Sequence, residues 1–215
     1  MSPVRRVLLI PDGTRRWCTR EGQELSAGYL KAAEKIALTA DYLCKHGATE
    51  LVVALSSKNN LMRSPEAIGA YLEACLAIPQ MCTVPVRMAV SGDLDLLEEP
   101  YRSQLIAMTR EHSSGFHITQ MQGWSLDHEV VRIVNALRNS PAPVTTESIA
   151  QVADLPRTID LVVRTGGDHR LSSFVPLLSP YVELAFIDTL IPDLDVEDLR
   201  ELHLTYKNKA RRFGV

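Results

Sequence analysis

Six short apolar runs constrain the fold of this chain more than any other feature of its sequence. They lie at residues 7–10, 50–55, 85–90, 116–121, 158–163 and 181–186. Continuous apolar runs of this length are typical of strands covered on both faces, as the strands of parallel sheets are. The sequence therefore predicts a largely buried parallel sheet of about six strands.

The segments between these runs have the spacing of amphipathic helices. Helices are predicted at residues 32–45, 66–76, 98–112, 127–137, 148–152 and 196–212. In the fourth of them, Val130, Val131, Val134 and Leu137 share one face. Strands and helices that alternate without a linker or an internal repeat favour one α/β domain over residues 1–215. We predict three layers, with helices on both faces of a central parallel six-stranded sheet.

Composition excludes several classes of protein. A chain of 215 residues, 46% of them hydrophobic, is long enough to bury one sizeable core. Its net charge is −3, whereas nucleic-acid-binding proteins typically carry an excess of basic residues, so we expect no nucleic-acid partner. No run approaches the roughly 20 apolar residues that cross a bilayer, so we expect no integral membrane segment. Four cysteines without a CxxC pair predict reduced thiols and a cytoplasmic location.

The first site-like segment, residues 11–17, follows the first predicted strand. It contains Asp12, Gly13, Thr14, Arg15, Arg16 and Trp17. Ligands of open α/β sheets bind outside the carboxyl ends of the strands. A glycine followed by free backbone N–H groups and two arginines suits a diphosphate, and Asp12 could hold Mg²⁺. The alternative is a tight turn in which Asp12 caps the next helix and the arginines are solvated.

A second polar segment, residues 56–63, follows the second predicted strand. The hydroxyl of Ser57, the amide of Asn60 and the guanidinium of Arg63 could line the same cleft as the first segment. A polar loop that ends in a helix cap at Ser64 explains the same residues equally well.

The segment with the most candidate binding groups is residues 164–174, which follows the fifth predicted strand. Arg164, Arg170, Ser172 and Ser173 offer donors that match a phosphate group, and two glycines let the backbone approach a ligand. His169 is a candidate for metal or acid–base chemistry, although a lone histidine is more often structural. In the sixth apolar run, Glu183 is the one acid and a second Mg²⁺ candidate.

Taken in order, these motifs resemble the cis-prenyltransferases, also called the undecaprenyl diphosphate synthase family. The resemblance rests on Asp12-Gly13-x-x-Arg16-Trp17, Arg164-Thr165-Gly166-Gly167-x-x-Arg170-x-Ser172-x-Phe174, Tyr181-x-Glu183-Leu184-x-Phe186, Pro192-Asp193 and Arg211-Arg212-Phe213-Gly214. These motifs span nearly the whole chain, so the resemblance is far more specific than one glycine-rich loop.

The resemblance implies a butterfly-shaped homodimer with a tunnel for isoprenoid tails and two diphosphate sites bridged by Mg²⁺. Asp12 would bind the metal, and Gly13 and Arg16 would belong to the allylic-diphosphate loop. Arg164, Arg170 and Ser172 would hold the acceptor diphosphate. The resemblance also places Glu183 and His169 near the metal. It implies that a C-terminal segment with Arg212 and Gly214 reaches the acceptor site of the neighbouring subunit.

The chain departs from the elongating members of that family at several positions. Thr14-Arg15 replaces Asn-Gly, and Tyr29 stands where a histidine is usual. The segment at residues 56–63 lacks the usual Glu and Trp. At residues 122–125, Gln-Gly-Trp-Ser replaces Tyr-Gly-Gly-Arg, so that Trp124 brings a bulky ring near the expected tunnel.

A subgroup is more similar: the bacterial lavandulyl and cyclolavandulyl diphosphate synthases, which share Pro-Asp-Gly-x-Arg-Arg-Trp and Ser-Ser-Phe-x-Pro-Leu-x-Ser-Pro-Tyr. This likeness implies head-to-middle joining of dimethylallyl diphosphate with a C5 or C10 allylic donor. The proton acceptor would be a diphosphate oxygen, with Ser57 or Tyr29 as relay. The alternatives are a regular short-chain cis-prenyltransferase that uses isopentenyl diphosphate and a non-catalytic partner subunit.

Overall fold

The computed structural model describes residues 4–155 and 158–207, and its central element is a six-stranded sheet. The strands are β1 (Arg6–Ile10), β2 (Glu50–Ala54), β3 (Val86–Gly92), β4 (Phe116–Gln122), β5 (Leu161–Arg164) and β6 (Glu183–Phe186). They lie in the order β3-β4-β2-β1-β5-β6, and every neighbouring pair is parallel. This confirms the predicted single α/β domain with a central parallel sheet.

Apolar side chains are buried on both faces of the sheet, which explains the continuous apolar runs. Leu9 of β1 and Val53 of β2 belong to the core beneath the long helices. Their neighbours Leu8 and Val52 belong to a second core on the opposite face. Alternate side chains of each strand therefore pack into different cores, one on each face of the sheet.

Seven α-helices lie in the described residues. They are α1 (Thr14–Glu21), α2 (Leu25–Lys45), α3 (Pro65–Met81), α4 (Tyr101–Glu111), α5 (Leu126–Leu137), α6 (Thr146–Val152) and α7 (Val196–Lys207). Residues 208–212 of the predicted last helix lie outside the described part. None of the described helices combines the length and apolar character that crossing a membrane requires.

The start of the chain's helical region differs from the prediction. The segment at residues 14–21 forms α1 although Trp17 and Cys18 are its only apolar residues, and α2 begins at Leu25 rather than at residue 32. The two helices pack closely at Gly28, where a Cβ atom would lie 2.2 Å from the sulfur of Cys18. Tertiary packing, which the apolar pattern does not report, therefore forms this corner.

Helix α5 is present as predicted, but its valine face points outward. Val130, Val131 and Val134 are 42%, 59% and 57% exposed, whereas Glu129 and Ile133 are buried. The Glu129 carboxylate accepts the backbone N–H of Asp154 at 2.6 Å and forms an ion pair with Arg132. These bonds hold the polar edge of α5 inward, and the face that the valines share is exposed.

Candidate active site

A cavity of about 610 Å³ contains residues from the segments that follow β1, β2 and β5. These three strands are neighbours at the centre of the sheet, so their carboxyl ends open at one place. Twelve of the residues singled out in the sequence line it: Asp12, Gly13, Thr14, Arg15, Arg16, Tyr29, Ser57, Asn60, Arg63, Arg164, Arg170 and Ser172. The structure thus brings the three polar segments together.

Asp12 and Arg164 form the central ion pair of the cavity. The Arg164 guanidinium, only 5% exposed, donates to Asp12 Oδ2 at 2.7 Å, and Arg16 Nη2 lies 3.4 Å from Oδ1. Burial alone would raise the pKa of Asp12. The hydrogen bond and charge of Arg164, the backbone N–H of Gly13 and the charge of Arg16 outweigh it, and the pKa is lowered. Asp12 is therefore a carboxylate at neutral pH.

Arg164 also fixes the loop that follows its own strand. Its Nη1 donates to the carbonyl of Arg170 at 2.6 Å and to the hydroxyl of Ser172 at 3.1 Å. The Asp168 carboxylate accepts from Arg164 at 3.2 Å and from Arg170 at 2.6 Å. Asp168 was not singled out in the sequence, although an acid between two arginines of one loop is a signal for such a bridge.

Two glycines allow the first and third segments to approach each other. Gly13 has φ +108°, and a Cβ atom on it would lie 2.7 Å from the side chain of Leu190. Gly166 has φ +86°, and its carbonyl accepts Arg16 Nη1 at 2.7 Å. Both conformations strongly favour glycine. The first residue before α1 is Gly13, and no side chain caps this helix, so the alternative in which Asp12 is a helix cap is wrong.

The second segment forms a short 3₁₀ helix, Lys58–Met62, at the cavity wall. The hydroxyl and the backbone N–H of Ser57 both donate to Asn60 Oδ1 at 3.0 Å. Arg63 Nη1 donates to the hydroxyl of Tyr29 at 3.3 Å. The Ser64 cap of α3 is also present. Both interpretations of this segment are therefore correct: it caps a helix and it lines the cleft.

The opposite end of the cavity is apolar and comes from the middle of two helices. Its residues are Ala32, Ala33 and Ile36 of α2 and Ala74, Cys75 and Ile78 of α3. Burial raises the pKa of Cys75 to about 12, so its thiol is neutral. Sequence reasoning did not single out these positions, because helical periodicity does not distinguish a cavity wall from a packed core.

Three of the side chains expected near the site, those of Trp17, His169 and Ser173, are not on the cavity wall. Trp17 instead donates its indole N–H to Asp193 Oδ1 at 2.9 Å. Ser173 does not line the cavity, and His169 is exposed and stacks on Phe186 with ring centroids 5.0 Å apart.

Trp124 is buried beside the cavity rather than in it. Its ring stacks on Phe174 with centroids 6.1 Å apart, and Phe174 is the ring that reaches the wall. Trp124 therefore lies near the cavity, as expected, but does not line it.

Asp12, Glu183 and His169 do not form one metal site within the chain. Glu183 pairs with Leu161 at the amino end of β5, about 10 Å along the strands from the level of Arg164. Across residues 4–155 and 158–207, no group of three or more His, Cys, Asp or Glu side chains is placed to hold a metal ion. Asp12 alone still fits Mg²⁺, which commonly takes one or two carboxylates together with substrate phosphates. Arg212 and Gly214 lie outside the described residues.

Comparison with known proteins identifies the family. The family described as "Putative undecaprenyl diphosphate synthase" matches residues 10–214. The chain belongs to the undecaprenyl diphosphate synthase family. It is therefore a prenyltransferase, an enzyme that transfers an alkyl group, and a prenyl diphosphate synthase of the cis-prenyltransferase family. Prenyl diphosphates follow as its substrates.

Relatives match the chain over nearly its whole length. An isoprenyl transferase of Campylobacter jejuni is 24% identical, with 100% of both chains covered. The tritrans,polycis-undecaprenyl-diphosphate synthase (geranylgeranyl-diphosphate specific) of Pyrobaculum aerophilum is 29% identical over 97% of this chain and 94% of the relative. Lavandulyl diphosphate synthase from Lavandula x intermedia, solved in complex with dimethylallyl diphosphate, has the same fold, with a TM-score of 0.87, 20% identity and coverage of 99% and 98%.

Proposed function

We propose that this prenyltransferase condenses dimethylallyl diphosphate with dimethylallyl or geranyl diphosphate, head-to-middle, into a branched lavandulyl- or cyclolavandulyl-type diphosphate. The observation that carries the proposal is the size of the cavity. About 610 Å³ must hold two diphosphates and their hydrocarbons, which suits short substrates better than a polyprenyl chain. The motifs shared with the lavandulyl-type subgroup support the same conclusion.

The charged end of the cavity has groups for two diphosphates. Arg164, Arg170 and Ser172 would hold that of the acceptor, with Ser173 as an additional expected donor. Gly13 and Arg16 would hold that of the allylic donor, together with Thr14, Arg15 and the neighbouring Asn60 and Arg63. Several arginines in one partly enclosed cavity favour the binding of such highly charged groups.

Asp12 is the residue that would hold Mg²⁺ between protein and donor diphosphate. Its lowered pKa keeps the carboxylate ionised, as a ligand of this hard cation must be. When bound, Mg²⁺ supplies charge neutralisation of the departing diphosphate. Glu183 and His169 remain predicted contributors only, since the chain by itself does not bring them to Asp12.

The final carbocation must lose a proton, and the proton acceptor in our proposal is a diphosphate oxygen. Tyr29 and Ser57 are the candidate relays, because both hydroxyl groups belong to cavity-lining residues. Each hydroxyl already has a partner, Arg63 and Asn60 respectively, which holds it in one orientation.

A homodimer is part of the proposal, since apolar surface remains uncovered. The three valines of α5 are exposed, as are Tyr181 at 55% and Leu184 at 41% beside or within edge strand β6. Exposed apolar groups of this kind often mark protein interfaces. The role of Arg212 and Gly214 in a neighbouring site, the butterfly shape and the cytoplasmic location stay predictions.

The direct test is incubation of the protein with Mg²⁺ and dimethylallyl diphosphate alone. Formation of a branched C10 diphosphate, identified by mass spectrometry after dephosphorylation, supports the proposal. The second candidate is a regular short-chain cis-prenyltransferase, favoured by relatives named as undecaprenyl diphosphate synthases. Turnover only after isopentenyl diphosphate is added would replace our proposal with that candidate.

A further inference from the structure

Two tyrosine rings meet on the cavity wall between its charged and apolar ends. Tyr29 of α2 and Tyr71 of α3 lie edge to face, with centroids 5.7 Å apart and an interplanar angle of 71°. Each precedes the first apolar lining residue of its helix, Ala32 or Ala74, by about one turn. Both helices run from the carboxyl edge of the sheet towards its amino edge, because each connects two parallel strands. The tyrosine pair therefore lies next to the arginines, on the side towards the apolar end of the cavity.

A buried polar network holds Tyr71 in place. Its hydroxyl donates to Oε1 of Gln122, which also accepts the Ser56 hydroxyl at 2.9 Å. Gln122 Nε2 donates to Gln120 Oε1 at 3.3 Å, and Gln120 Nε2 donates to the carbonyl of Cys75 at 2.9 Å. Burial raises the pKa of Tyr71 well above its ordinary value, so the phenol remains a donor.

This network is not explained by packing of the sheet alone. Gln120 and Gln122 have no exposed surface, although Phe116 and Ile118, on the same face of β4, are apolar. Burying two amides is costly unless their groups are bonded, and an apolar pair would fill the space without that requirement. The clearest product of the network is a tyrosine ring that is fixed in orientation at the cavity wall.

In the proposed reaction, positive charge develops on the carbon that carried the diphosphate, next to the arginines that would hold that group. The C–O bond of the allylic donor breaks, and the electron pair leaves with the diphosphate oxygen. The double bond of the acceptor then supplies the electron pair of the new C–C bond, and the second cation loses a proton. Aromatic rings attract cations, most strongly where water is excluded.

We propose that Tyr29 and Tyr71 stabilise these carbocations and determine which product they yield, and that Gln122 is a positioning residue that holds Tyr71. The inference rests on the proposed function only in requiring an allylic cation, so it applies equally if isopentenyl diphosphate is the acceptor. The aromatic rings gain and lose no atoms in this role, and any proton relayed by Tyr29 would pass through its hydroxyl group.

Binding of a stable cation tests this without turnover. The probes are dimethylisopentylammonium and its uncharged isostere 2,5-dimethylhexane, each with Mg²⁺ and inorganic diphosphate, followed by protection against thermal unfolding. We expect Tyr71→Leu to weaken binding of the ammonium about tenfold and that of the isostere less than twofold. Tyr71→Phe, which keeps the ring, should lose less than Tyr71→Leu. An equal loss for both probes would mean that the ring only packs, and would overturn the inference.

Product analysis supplies a second readout and separates the two proposals. Each variant is assayed with dimethylallyl diphosphate alone and with added isopentenyl diphosphate, and Tyr42→Leu, at the far end of α2, is the matched control. We expect Tyr29→Leu and Tyr71→Leu to lower kcat about tenfold with little change in KM, and Gln122→Leu to shift the product ratio. If the wild type turns over only with isopentenyl diphosphate, the head-to-middle function fails while the same loss still supports the tyrosine pair. If both leucine variants keep the wild-type kcat and products, the tyrosine pair is refuted whichever acceptor is used.

Discussion

The charged end and the apolar end of the cavity are built in different ways. Arg164 ends strand β5, and Asp12 and Asp168 lie in the loops that follow β1 and β5. The three side chains bind one another, with Arg164 donating to both carboxylates. Ala33 and Ile78, at the apolar end, come from the middle of two helices, and their side chains line the cavity without polar groups that could bond to a neighbour. The difference indicates that one substitution at the charged end disturbs a whole network, whereas one at the apolar end changes local volume.

The largest effect is expected for Arg164→Met, which removes the shared cation of the network. Two carboxylates then lose a close positive charge, so kcat/KM should fall by at least about 10³ and the free energy of unfolding by about 3 kcal/mol. Steady-state kinetics and urea unfolding measure the two effects. Arg200→Met is the control, since the exposed pair of Arg200 with Glu197 should contribute less than about 1 kcal/mol. Equal losses in the two variants would contradict a special role for the network.

Asp12→Asn tests the same end through pH. The pKa of Asp12 is lowered in the folded state, so its contribution to stability is present above its unfolded pKa, about 3.9. That contribution is lost as the pH falls through the folded pKa. The wild type should therefore exceed the variant in free energy of unfolding at pH 7 and lose that advantage below about pH 4. A difference that stays constant from pH 7 to pH 3 would show that the carboxylate charge is not what stabilises the loop.

Ala74→Leu tests the apolar end of the cavity, because it changes the volume of that end and no charged group. The longer side chain enters the apolar end, so kcat/KM with geranyl diphosphate should fall about tenfold relative to dimethylallyl diphosphate, at an unfolding cost of roughly 1–3 kcal/mol. Inhibition by inorganic diphosphate should not change. Ala107→Leu, at an exposed position of α4, is the control. Equal losses with the two donors would show that the two ends are coupled.

The smallest effect is expected for Trp17→Phe. The indole hydrogen bond to Asp193 is lost, which should cost about 1 kcal/mol of unfolding free energy. Because Trp17 does not line the cavity, kcat should stay within about twofold of the wild type. A tenfold loss of kcat without loss of stability would restore Trp17 to the substrate-binding residues that its motif indicates.

The sequence by itself determined the parallel sheet and the charged end of the cavity. Continuous apolar runs require cover on both faces, and such sheets open their ligand site at the carboxyl ends of the strands. Asp12, Arg164, Arg170 and Ser172 directly follow two such strands, so their meeting could be predicted without coordinates. The family could be recognised for the same reason, since its motifs are contiguous along the chain.

Only the tertiary structure decided which residues form the apolar end of the cavity and which of the expected site residues lie outside the cavity. Helical periodicity marks one side of a helix as apolar but does not say whether that side faces a core, a cavity or the surface. Neither the place of Tyr71 on the cavity wall nor the exposure of Val131 therefore followed from the sequence. Glu183 lies far from Asp12 because a residue's level in the sheet depends on strand register, which is set by pairing between segments distant in sequence.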